Sequence, residues 1–77
     1  MKNLAEQITE LAGAYGFIEV KSKNPHMISF QKEEDTDCRI NFYFTTGTLT
    51  VQYRSAKPSS VHRNITLEAF EDILQNI

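Results

Sequence analysis

Apolar residues recur at Leu4, Ile8, Leu11 and Tyr15, spacings of four, three and four that lay one stripe along a helix. Asn3 stands where an N-cap is wanted and Gly16 where the chain must turn left-handed, so the first helix spans about residues 3–15. The period then falls to two. In Phe17 to Lys23, Ile18 and Val20 share one face and Glu19 and Lys21 the other; Asn24-Pro25 breaks the run. Met27 to Lys32 alternates again around Ile28 and Phe30, and the charged run from Lys32 to Asp37 reads as a turn.

A hairpin follows. With Thr46-Gly47 as a two-residue turn, Phe44 meets Leu49, Phe42 meets Val51 and Ile40 meets Tyr53, so one face is wholly apolar. The other face then pairs Thr45 with Thr48, Tyr43 with Thr50, Asn41 with Gln52, and Arg39 with Arg54. Residues 55–65 read as a loop crossing one end of the sheet. Thr66 caps a last helix, Ile65 and Phe70 stand at the two positions of a hydrophobic staple, and Leu67, Phe70, Ile73, Leu74 and Ile77 form its stripe.

The expected fold is therefore α+β, in the order α-β-β-β-β-α. It is a four-stranded antiparallel meander with both helices on one face, forming a single domain over residues 1–77. The core face would carry Ile18, Val20, Ile28, Phe30, Ile40, Phe42, Phe44, Leu49, Val51 and Tyr53. The opposite face is left open.

Composition narrows the chemistry. Seventy-seven residues leave room for one small core, which self-association would help to stabilise, and a homodimer is the expectation. Cys38 is the single cysteine, which excludes an internal disulfide. One Cys with His26 and His62 falls short of a structural zinc set. Glu33, Glu34, Asp35 and Asp37 lack the glycine and distal glutamate of a calcium loop. No phosphate loop, nucleophile elbow or paired-carboxylate arrangement is readable, so the chain reads as non-enzymatic, without metal or cofactor. The amphipathic N-terminus is unlike a signal peptide and no run is long enough to span a membrane, which places the chain in a reducing, cytoplasm-like compartment.

Charge is unevenly spread. Cys38 to Leu67 holds no acid and carries +4 from Arg39, Arg54, Lys57 and Arg63, while residues 1–37 and 68–77 carry −3 each. Two binding readings follow. One is protein recognition, through the open sheet face or a sheet edge. The other is nucleic-acid phosphate held by Arg39, Arg54, Lys57 and Arg63, with Tyr43 to stack a base. The candidate residues for either are Arg39, Asn41, Tyr43, Gln52, Arg54, Lys57, His62 and Arg63. Arg39 against Arg54 is the one local conflict in the hairpin, and such conflicts mark places where function overrides stability.

The run Arg39-Ile-Asn-Phe-Tyr-Phe-Thr-Thr-Gly-Thr-Leu49, then Arg63-Asn-Ile-Thr-Leu67 and a short acidic helix, resembles a small uncharacterised domain of ciliates, algae and other single-celled eukaryotes. The likeness covers about residues 38–74. It implies that the hairpin and the following loop belong to one recurring unit. In the loop the chain departs from that pattern, keeping Lys57 in place of several lysines and an aromatic residue.

Overall fold

The computed structural model describes residues 2–34, 37–55 and 58–77. Helix α1 (Leu4–Ala14) is followed by β1 (Phe17–Val20), β2 (Met27–Lys32), β3 (Cys38–Tyr43), β4 (Thr48–Tyr53), β5 (Ser60–His62) and helix α2 (Leu67–Gln75). The strands form one antiparallel sheet in sequence order, β1-β2-β3-β4-β5. The α+β class and the meander hold, with a fifth strand where residues 55–65 were expected to be loop. Ser60–His62 offers one apolar residue between two polar ones, too short a run to show a period. None of the described helices is long and apolar enough to cross a membrane.

Both predicted caps are in place. The Glu6 amide donates to Asn3 Oδ1 at 2.8 Å, and the Ala69 amide to Thr66 Oγ1 at 3.1 Å. Gly16 leaves α1 with φ +85, the left-handed backbone that glycine tolerates best. Across the helices, Gln75 Nε2 donates to the Tyr15 hydroxyl at 3.2 Å, and that hydroxyl donates to Glu71 Oε2 at 3.4 Å.

One core joins both helices to one side of the sheet. Ile8 and Ala12 of α1 and Phe70 and Leu74 of α2 are buried with Phe17, Phe30, Cys38, Ile40, Phe42, Leu49 and Val51. Ile65, just before α2, is buried in the same cluster.

Two strand expectations are corrected. The β3–β4 register is shifted by two residues from the sequence reading, with a longer connection: Phe42 faces Leu49, Ile40 faces Val51, and Arg39 faces Gln52. The connection is the four residues from Phe44 to Gly47, closed by the Gly47 amide on the Tyr43 carbonyl at 2.9 Å. A two-residue turn of type I′ needs positive φ at both central positions, which β-branched Thr46 resists; here only Gly47 takes it, at φ +74. Phe44 consequently leaves the core. It is 42% exposed, with its ring 6.4 Å from that of His26.

The second correction is the phase of β1. Phe17 pairs with Lys32 and Glu19 with Phe30, which puts Phe17 and Glu19 on the helix side and Ile18 and Val20 on the opposite side. Phe17 is the larger apolar side chain, and burying it decides the alternation for its neighbours. Its ring also lies 5.8 Å from Lys32 Nζ.

Candidate binding face

The side of the sheet away from the helices is built as three rows. Ile18, Gln31, Arg39 and Gln52 run across the first four strands; Val20, Ser29, Asn41, Thr50 and Val61 run across all five; Met27, Tyr43 and Thr48 run across the middle three. Period-two alternation puts all these side chains on one face.

The middle row is tied by hydrogen bonds within itself and to Gln52 in the row beside it. The Ser29 hydroxyl donates to Asn41 Oδ1 at 2.8 Å, and Asn41 Nδ2 donates to Gln52 Oε1 at 3.1 Å and to Thr50 Oγ1 at 3.4 Å. Asn41 is 5% exposed and Ser29 fully buried, although neither faces the core. The centre of the face is thus a pre-arranged patch of amides and hydroxyls. Aliphatic side chains stand at its two edges, with Ile18 47% exposed on β1 and Val61 60% exposed on β5. Arg39 is the single charged side chain among the twelve positions of the three rows.

Of the residues singled out from sequence, Arg39, Asn41, Tyr43 and Gln52 come together on this face. The Arg39–Arg54 opposition does not form, because the shifted register puts Gln52 opposite Arg39. Arg54 instead donates its amide to the Asp37 carbonyl at 2.9 Å, and the Asp37 carboxylate accepts from the Ser55 amide and hydroxyl at 2.8 and 3.1 Å. An acidic group therefore sits beside the end of the basic patch. Arg63 is exposed in the turn after β5. His62 is paired with Leu49 and so lies on the helix side, with its Nε2 3.2 Å from Ser60 Oγ. Lys57 lies outside the described residues.

Reading the sequence missed Ile18, Val20 and Val61 as members of this face. For Ser29 and Gln31 the signal was present, since they alternate with Ile28 and Phe30. For Ile18 and Val20 it was absent, because both phases of β1 hold apolar residues.

Tyr53, on the helix side of β4, has its phenol pushed above the ordinary tyrosine value. Burial is the main cause, followed by the charges of Cys38 and Asp37. No cluster of metal-ligating side chains occurs among the described residues. No protein-family profile, curated protein or solved structure matches the chain.

Proposed function

We propose that the chain is a non-enzymatic binding module that recognises another protein through the open face of its sheet. The observation that carries this reading is the near absence of charge from a face of twelve positions, in a chain that is 23% charged overall. Protein interfaces are depleted of charge at their centre, while solvated sheet faces have no such requirement. Satisfied amides and hydroxyls, one tyrosine and exposed Ile18 and Val61 supply adaptable polar contact with apolar margins. Arg39 calls for one acidic group on the partner.

The size of the face bears on the strength of binding. The 25 strand residues, each covering ~4.8 Å by ~3.3 Å, make a patch of roughly 400 Å², against about 800 Å² per partner in a stable complex. The association is transient, and a homodimer through this face alone would be weak. Strand addition at an edge is less favoured, because β1 has four residues and β5 three. The phosphate reading loses its central feature, since Arg39 and Arg54 do not face each other and Asp37 lies beside Arg54. The resemblance of residues 38–74 to the protist domain supports treating hairpin and loop as one unit. A reducing, cytoplasm-like compartment suits the single buried thiol of Cys38.

A photo-crosslinking side chain placed at Ile18 or Val61, and at Glu68 on α2 as a control, tests the reading. Capture of one defined protein from the face positions, lost on Arg39→Glu at unchanged melting temperature, is the expected result. Equal capture from Glu68, or salt-sensitive binding to oligonucleotides that Arg39→Glu abolishes, would overturn it.

A further inference from the structure

On the other side of the sheet, α2 and the β4–β5 pair border an open cleft of about 280 Å³. Its apolar wall is Val51, Ile73 and Ile77, and its polar rim includes Tyr53, His62 and Asp72. The volume lies just below the usual range for ligand sites, which suits only a small ligand, and the mixture of an apolar wall with a few convergent polar groups is typical of such sites.

The electrostatics of the cleft point one way. Asp72 contributes a carboxylate, and among the described residues no lysine or arginine lines the space. The C-terminal end of α2 adds partial negative charge, and its last turn carries no basic residue to offset it. Asp37 lies close enough to Tyr53 to act on its phenol. His62 is already engaged with Ser60, at 3.2 Å, which leaves Asp72 as the charged group to meet a ligand. A guest suited to these walls has an aliphatic stem for Val51, Ile73 and Ile77 and a cationic, donor-rich head for Asp72.

We propose that this cleft binds an aliphatic ammonium group, the chemistry shared by a free alkylamine and the side chain of lysine. The site is separate from the open face and stands whether or not that face binds protein. Methyl NMR spectra of the 77-residue chain, titrated with n-butylammonium at constant ionic strength, test the idea directly. Saturable shifts at Val51, Ile73 and Ile77 are expected, with a dissociation constant of about 1 to 10 mM for so small a ligand. Binding of 1-butanol and butyrate should be about two- to fivefold weaker, and Asp72→Asn should weaken the ammonium by about two- to fivefold. Asp72 is exposed, so the substitution leaves the fold in place. Tighter binding of Nα-acetyl-lysine methylamide than of n-butylammonium would assign the ammonium to a protein side chain, and the reverse order to a free amine. Equal binding of 1-butanol, or an unchanged constant in Asp72→Asn, would overturn the proposal.

Discussion

The Ser29 hydroxyl donates to Asn41 Oδ1 at 2.8 Å, and both side chains are shut away from water on the side of the sheet that faces no core. Asn41 passes the connection on to Gln52 and Thr50, so one amide ties together three strands. A buried polar group that loses its partner costs the full desolvation of that group, about 1–3 kcal/mol. Asn41→Leu should therefore destabilise the chain by about 1–3 kcal/mol in urea unfolding, despite being more apolar. A double-mutant cycle of Ser29→Ala and Asn41→Ala should return a coupling of about 0.5–1.5 kcal/mol. Additive losses would show that the network does not hold the face.

Arg39 stands between Gln31 and Gln52, with no arginine across from it. There is no like-charge repulsion for its removal to relieve. Arg39→Gln should shift unfolding by less than about 0.5 kcal/mol, the range of ordinary surface changes. A clear stabilisation would signal that Arg54 lies opposite after all, in the two-residue turn register.

Gly16 and Gly47 hold φ of +85 and +74, and a side chain at either would find room: nothing lies within 4 Å at Gly16, and Asn64 Cα lies 3.7 Å away at Gly47. Any penalty is thus one of backbone strain alone. Substituting L-alanine at either should cost about 1–2 kcal/mol. D-alanine prefers this conformation and restricts the unfolded chain, so at Gly16 it should stabilise by about 0.4–1 kcal/mol. Chemical synthesis and thermal unfolding separate the two cases, and equal losses from both enantiomers would put the cause in packing.

The helices were legible because each stripe repeats over several turns and is bounded by a capping residue, Asn3 or Thr66. The hairpin core was legible for a different reason. A two-residue slip preserves the phase of alternation, so Ile40, Phe42, Leu49 and Val51 face inward in either register. What the slip changed was the ends, expelling Phe44 and separating Arg39 from Arg54. In β1 four residues carry Phe, Ile and Val in both phases, and the choice rests with tertiary packing of Phe17. Ile18, Val20 and Val61, three of the twelve face positions, therefore lay in strands where no local pattern decides direction.

Thr66 starts α2 with its hydroxyl on the Ala69 amide, and the Phe70 amide bonds the Thr66 carbonyl at 2.9 Å. The helix has nine residues, few enough that its first turn matters to the whole. Thr66→Ala should cost about 1 kcal/mol, and Thr66→Ser should keep most of it. Equal destabilisation by serine would mean that the methyl group, and not the cap, holds the helix start.

Tyr53 makes stability depend on alkaline pH. Burial, with the charges of Cys38 and Asp37, raises its phenol above the usual 10.0 in the folded chain. The folded state then binds more protons than the unfolded state between 10.0 and the raised value, so stability falls as pH climbs through that window. Its contribution is whole below pH 10 and lost above the folded value. Ultraviolet difference titration should show the Tyr53 phenol ionising above 10.0 while the chain remains folded. In Tyr53→Phe that late step should vanish, and the decline of urea stability above pH 10 should become shallower. Persistence of the late step in Tyr53→Phe would remove Tyr53 as its source.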